Sequence, residues 1–312
     1  MLENKAIWID TDTGVDDAVA LLTACRIETI NIVGVSAVHG NTTLTNTLRN
    51  ARDVLALADR EDIPVYRGAS GPLMYACKTA EYVHGDNGLG GVNLPPSSAP
   101  YMEESVSQAL RRAVSKYGRQ LVVVALGPLT NIARLILEFP EVRSLFAGIY
   151  LMGGAVYGGN VTPCAEFNIY SDPQAAEIVF QSGIPLTMFG LDVTMQAYMT
   201  CEEFQQLTAS DTAISNFLRE STALARKYYE PDFAGGMVLH DVCPIMALAY
   251  PDLFTTKLAG VFVETQGQLT MGKTVCDLYS DYHFADRHVM VATDVLRADF
   301  VRTLSELLQS YV

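Results

Sequence analysis

Short apolar runs alternate with stripes of apolar residues at helical spacing along most of the chain. That alternation limits the possible folds more than any other feature. Residues 6–9, 30–38, 63–66, 121–126, 149–152 and 186–190 read as strands. Between them, a helix opens at Asp16 or Asp17 and runs on through residues 18–22. Leu44, Leu48, Ala51, Leu55 and Ala58 recur at spacings of four and three, the apolar face of another helix. Val106, Ala109, Leu110, Ala113, Val114 and Tyr117 stripe a further one, stopped by Gly118. One more starts near Leu129, and Asp172 caps another with Pro173 in its first turn and Gly183 closing it. This order predicts an α/β fold over residues 1–312: a single domain with a doubly wound, mostly parallel open sheet and helices on both faces. Residues 74–99, rich in Gly, Pro and Ser, and residues 200–236, predicted helical, break the alternation. Such insertions read as lids or binding loops over the carboxyl ends of the strands.

Charge narrows the partners. Against 35 Asp+Glu there are 21 Lys+Arg, a formal net charge of −14, so the positive surface that nucleic acid or anionic lipid demands is missing. No apolar run is long enough for a bilayer span. The first strand-like run begins at residue 6, which leaves little room for a targeting segment ahead of it. Six scattered cysteines without a CxxC pair suit reduced, mostly buried thiols better than a disulfide frame or zinc site. The expectation is a cytoplasmic protein that binds neither nucleic acid nor membrane.

The chemistry concentrates after the first strand, in Asp10-Thr11-Asp12-Thr13-Gly14-Val15-Asp16-Asp17. Asp10 and Asp12 are two apart, so in a strand they point to one side. A helix start that favours acidic residues accounts for Asp16 or Asp17, but not for Asp10 and Asp12 at the end of an apolar strand. Carboxylates so close need a cation between them to stay ionised, and an all-oxygen set selects Ca²⁺ or Mg²⁺. The turn lies where open α/β sheets collect ligands.

Two families share parts of this pattern. Asp10-Thr11-Asp12-Thr13 is similar to the DxDxT signature of haloacid-dehalogenase-type phosphatases, which implies Asp10 as nucleophile, Mg²⁺, a later lysine (Lys273) and a late acidic pair (Asp281, Asp286). It gives no reason for Asp16 and Asp17. The run from Asp10 to Ala18 resembles more fully the DxDxGxDDA signature of the inosine-uridine-preferring nucleoside hydrolases. Further matches follow in that family's order: His39-Gly40-Asn41, His84-Gly85-Asp86-Asn87-Gly88-Leu89, and Leu126-Gly127-Pro128-Leu129-Thr130-Asn131. Then come Met152-Gly153-Gly154, Asn160, Glu166-Phe167-Asn168, Asp172-Pro173 and the late His240-Asp241. One departure stands out: Thr13 occupies a place where the family more often has proline, which should touch loop rigidity and not the chemistry.

The resemblance implies Ca²⁺-dependent hydrolysis of ribonucleosides to ribose and free base, through an oxocarbenium-like transition state. It implies Asp12 as general base on a metal-bound water. Asp10, Asp12, Asp17, Asp241 and the Leu126 main-chain carbonyl would be metal ligands, with Asp10 alternatively one layer back. Asp241 could equally be an ordinary helix cap. Asp16, Asn160, Glu166 and Asn168 look like the sugar clamp, Met152 would pack on the sugar, and Asn41 would support the acidic cluster. His240, able to titrate near neutrality, would aid departure of the base. His84 is a second candidate, and Tyr228 and Tyr229 are base-facing candidates. His39, His283 and His288 read as structural histidines. The family commonly forms dimers or tetramers, which implies a homo-oligomer. Besides the phosphatase, a nucleoside- or ribose-binding protein without catalysis remains open, and the preferred base is not settled.

Overall fold

The computed structural model describes residues 5–279 and 288–311 of the 312. Its centre is one sheet of nine strands. In chain order these are β1 (Lys5–Thr11), β2 (Ile30–Ala37), β3 (Val65–Arg67), β4 (Leu121–Ala125), β5 (Gly148–Met152), β6 (Leu186–Phe189), β9 (Phe254–Val263), β10 (Thr274–Asp277) and β11 (Val289–Val295). β7 (Tyr198–Met199) and β8 (Met237–Val238) form a separate antiparallel pair. Across the sheet the order is β10-β9-β11-β6-β5-β4-β1-β2-β3. From β3 to β11 every pairing is parallel, whereas β9 runs antiparallel to both β11 and β10. The predicted doubly wound, mostly parallel sheet is therefore present. The antiparallel edge after residue 253 was not anticipated, since those strands are broken by exposed polar residues such as Thr255, Thr256 and Lys257.

The central strands are covered on both faces, and their side chains sort by period two. Ile7 and Ile9 of β1 join Val122 and Val124 of β4 in one core, with the helices Val15–Arg26, Leu44–Leu57, Val242–Ala249 and Arg297–Gln309. Ala6 and Trp8 join Leu121, Val123 and Ala125 in the other, with Val106–Tyr117, Thr130–Glu138 and Pro173–Phe180. Asp172 caps the last of these, accepting from the Ala175 amide at 3.1 Å, and Gly118 ends Val106–Tyr117 at φ 51°. Residues 200–236 are helical as expected, in four short pieces from Cys201–Leu207 to Glu230–Phe233. The cysteines are free, but only Cys243 is fully buried and Cys77 is exposed, so the expectation of mostly buried thiols is corrected. Among the described residues no helix is long and apolar enough to cross a membrane.

The strand order reverses direction between β1 and β4: β2 and β3 lie to one side, β5 and β6 to the other. Successive crossovers diverge there and leave a crevice beyond the carboxyl ends of the strands. Asp12 follows β1, Leu126 follows β4, and Met152 ends β5, so the sequence motifs converge on that crevice.

Candidate active site

A cavity of about 410 Å³ opens at the crevice, within the range of small-molecule sites. Asp16, Asn41, His84, Leu126, Met152, Asn160, Glu166, Asn168, Tyr228, Tyr229, His240 and Asp241 all contribute to its wall. Phe167, Tyr82 and Met237 line it too and were not singled out from sequence. Phe167 sits inside the Glu166–Asn168 block, which could have flagged it; nothing in the local sequence marks Tyr82 or Met237.

The acidic residues are placed by two different devices. Gly14 caps the helix Val15–Arg26, and its amide donates to Asp17 Oδ2 at 2.9 Å. The Thr11 hydroxyl donates to Asp17 Oδ1 at 2.6 Å, and Asn41 Nδ2 donates to Oδ2 at 2.9 Å. Thr13 Oγ1 lies 3.1 Å from Thr11 Oγ1, so the residue that replaces the turn proline extends this network toward Asp17. Beyond the strand end, the Asn41 amide donates to Asp12 Oδ2 at 2.8 Å. Asp16, Asp17 and Asp241 carry carboxylate oxygens within 4.8 Å of one another. Asp241 starts the helix Val242–Ala249 but makes no side-chain cap bond; its carboxylate is given to the cluster instead.

Asp10 belongs to a different environment. The alternation along β1 turns it to the face of Trp8, away from the helix that carries Asp16 and Asp17. There its Oδ1 accepts from Asn131 Nδ2 at 2.7 Å and from the Ser36 hydroxyl, which also accepts from Trp8 Nε1 at 2.8 Å. The group that the structure gathers at ligand distance thus contains Asp16, expected on the sugar, and omits both Asp10 and Asp12, which were expected in it. The phosphatase assignment finds no support here. Lys273 Nζ donates to the carbonyls of Ala155 and Val156 at 3.0 and 2.8 Å, while Asp281 and Asp286, like His283, lie outside the described residues.

Burial shapes the titration of these groups. It lifts Asp10 and Glu166 to about 7 and Asp16 to about 6. Asp12 is raised well above the usual carboxylate range by burial and then by the Asp17 charge, and Asp241 by burial and then by Asp16. At 4.8 Å two carboxylates repel by about 3 kcal/mol even at an effective dielectric of about 20. Three such pairs rival the whole folding free energy of an ordinary domain, roughly 5–15 kcal/mol. The cluster therefore cannot stay fully ionised by itself. Asp10 Oδ2, Asp12 Oδ1 and Asp16 Oδ1 are also buried with no hydrogen-bond partner among the described residues. An all-oxygen group with open acceptor atoms fits a hard divalent cation.

The opposite wall is built from main-chain anchors. Glu166 caps the helix Phe167–Ser171, with Oε1 accepting from the Asn168 amide and Oε2 from the Gly154 amide, both at 2.9 Å. Asn160 Oδ1 accepts from the Phe167 amide at 2.9 Å. Asn168 Nδ2 donates to the Leu126 carbonyl at 2.7 Å and to the Met152 carbonyl at 3.2 Å.

At the third side, His84 Nδ1 accepts from the Val15 amide at 3.1 Å, which leaves the proton on Nε2. Gly85, at φ 74°, ends the short helix Glu81–His84 and turns the chain sharply behind this ring. His240 contacts Thr194 Oγ1 at 2.8 Å through Nδ1 and Tyr229 Oη at 2.9 Å through Nε2. Burial pushes both histidines down to about 4, so they are neutral near pH 7 and do not titrate at neutrality as expected for His240. Tyr228 is 45% exposed and packs against Tyr82 with ring centroids 5.6 Å apart. His39 is structural as expected: Nε2 meets Thr130 Oγ1 at 3.1 Å, and Nδ1 meets Cys77 Sγ at 3.4 Å. His288 stands edge-on to Phe262, with ring centroids 6.5 Å apart.

Residues 7–302 match the family described as inosine-uridine preferring nucleoside hydrolase, and the chain belongs to that family; it is a nucleoside hydrolase. Among its relatives is the pyrimidine-specific ribonucleoside hydrolase RihA of Salmonella agona (strain SL483), 42% identical over 311 residues that cover 98% of each chain. Among solved structures, a plant nucleoside hydrolase (PpNRh1) superposes with a TM-score of 0.93 at 30% identity, covering 98% of this chain and 99% of the other. A purine-preferring ribonucleoside hydrolase from Gardnerella vaginalis gives 0.92 at 34% identity with the same coverage.

Proposed function

We propose that this hydrolase cleaves the N-glycosidic bond of ribonucleosides with the help of Ca²⁺, with a pyrimidine as the preferred base. The observation that carries the reading is the meeting of Asp16 and Asp241 with Asn160, Glu166 and Asn168 around one cavity, with Asp17 within 4.8 Å of both aspartates and Asp12 tied to the cavity-lining Asn41 through its amide. The pyrimidine preference is supported by the 42% identity to a relative named for that specificity.

In this reading Asp12, Asp17, Asp241 and the Leu126 carbonyl hold the cation, with Asp16 at hand, and Asp10 supports them through its main-chain carbonyl, which accepts from the Leu126 amide at 2.7 Å. The cation, when bound, supplies a Lewis acid that eases loss of a proton from water and gathers the ribose hydroxyls. Asp12 takes the proton from the attacking water; its Oδ2 is held by the Asn41 amide, which leaves Oδ1 for that task. Asn160, Glu166 and Asn168 bind the ribose hydroxyls, and Met152 packs beneath the ring. Neutral His240 offers a hydrogen bond to the departing base, and Tyr228 and Tyr229 cover it. A homo-oligomer in the cytoplasm completes the proposal.

The test is a panel of uridine, cytidine, inosine and adenosine with and without chelator, scored by free base. Base release, fastest from the pyrimidine nucleosides, should stop with chelator and return with Ca²⁺. Tight binding without turnover would make the protein a binding module, and undiminished turnover after rigorous metal removal would end the cation's role.

A further inference from the structure

The single helical turn after β6, Leu191–Thr194, touches both ends of the site without lining either. At one end the Thr194 hydroxyl, fully buried, lies 2.8 Å from His240 Nδ1, its one partner among the described residues. A buried hydroxyl with a single partner that can accept donates to it, because otherwise its own proton is stranded. That places the imidazole proton on Nε2, the nitrogen toward Tyr229 and the cavity.

At the other end, two residues earlier, Asp192 accepts from the Val156 amide at 2.6 Å and the Tyr157 amide at 3.1 Å. The Leu191 amide donates to the Gly154 carbonyl at 2.9 Å. Lys273 and Thr274 complete the grip: Lys273 takes the carbonyls of Ala155 and Val156, and Thr274 bonds both polar groups of Ala155 at 2.7 and 2.8 Å. The loop so held leads directly into Asn160 and Glu166.

We propose that this turn is a two-ended strut for the reaction: Thr194 positions His240 toward the leaving base, and Asp192 positions the loop that binds ribose. Neither is a catalytic residue; both act through groups that face the substrate. The Thr194 arm rests on the proposed role of His240.

The two arms move different kinetic parameters. p-Nitrophenyl riboside has a leaving group that needs no proton, whereas uridine needs help at the base. Thr194→Val, nearly isosteric, should lower kcat on uridine about tenfold and on p-nitrophenyl riboside less than about threefold. Thr194→Ser, which keeps the hydroxyl, should restore the uridine rate; if the valine variant fails to fold, Thr194→Ala is read in its place. Asp192→Ala should raise KM for both substrates alike, by about fivefold, with their kcat ratio unchanged. Equal losses on both substrates for Thr194→Val, no rescue by serine, or a leaving-group bias in Asp192→Ala would overturn the strut. His240→Ala is the control. If that variant itself shows no leaving-group bias, the proposed role of His240 has failed; if it does and Thr194→Val does not, only the strut has.

Discussion

Gly40 stands so close to Asp12 that a Cβ built on it would lie 2.0 Å from Asp12 Oδ2. Gly127 presses from the other side, where a Cβ would lie 2.6 Å from Oδ1. The carboxylate is thus wedged between two glycines, with the Asn41 amide fixing its orientation. Gly40→Ala should push Asp12 out of place and lower kcat/KM about a hundredfold, since a shift of about 1 Å in a reacting group costs that much. Steady-state kinetics beside a melting curve would check it; an active Gly40→Ala enzyme would show that Asp12 needs no such fixed seat.

Asp12→Ala should abolish detectable turnover, a loss of about a thousandfold or more, while leaving the fold intact. Asp12 is repelled by Asp17 and Asp16, so its removal relieves the cation-free protein. The melting temperature in chelator should stay level or rise. Near-normal kcat in this variant would refute the general-base assignment.

The effect of pH should separate the cation-loaded from the cation-free protein. Asp16 rises to about 6 and Asp10 and Glu166 to about 7, with Asp12, Asp17 and Asp241 also raised. Folded pKa values above the unfolded ones add stability that is fully present below about 4 and lost as pH rises through about 7. His39, His84 and His240, pushed down to about 4, act oppositely and lose stability as pH falls below about 6.5. Taking the difference between cation and chelator at each pH removes most of the shared histidine contribution. A cation needs ionised carboxylates, so its gain in Tm should be largest near pH 8 and shrink by about pH 5. A gain that is flat or grows on acidification would contradict the carboxylate site.

Asn168→Ala should raise KM for every ribonucleoside, whatever the base, because its contacts lie on the Leu126 and Met152 side of the cavity. An about tenfold increase, equal for uridine and inosine, is expected from losing one buried amide. A change confined to one base would move Asn168 from sugar to base recognition.

Much of this was legible in the sequence because it is local. The unbroken apolar runs of β1 and β4 announce strands buried on both faces, and the stop at Gly118 and the cap at Asp172 stand where spacing put them. The family motifs hold most of the polar residues that line the cavity, among them Asp16, His84, Asn160, Glu166, Asn168, His240 and Asp241. The strands β9 to β11, which build the antiparallel side of the sheet, were not legible, since exposed residues such as Thr255, Thr256, Lys257 and Leu258 dilute the apolar signal.

By itself the sequence determined the parallel sheet, the place of the acidic turn at a strand end and the family. These follow from periodicity and from short-range motifs, which act over a few residues. Only the tertiary structure decided which carboxylates share a site: Asp10 faces Ser36 and Asn131, while Asp16 and Asp17 meet Asp241 from more than two hundred residues away. It alone also set the histidines' neutrality and the partnership of Thr194 with His240. Desolvation and side-chain direction depend on what packs around a group, and packing is a property of the folded chain.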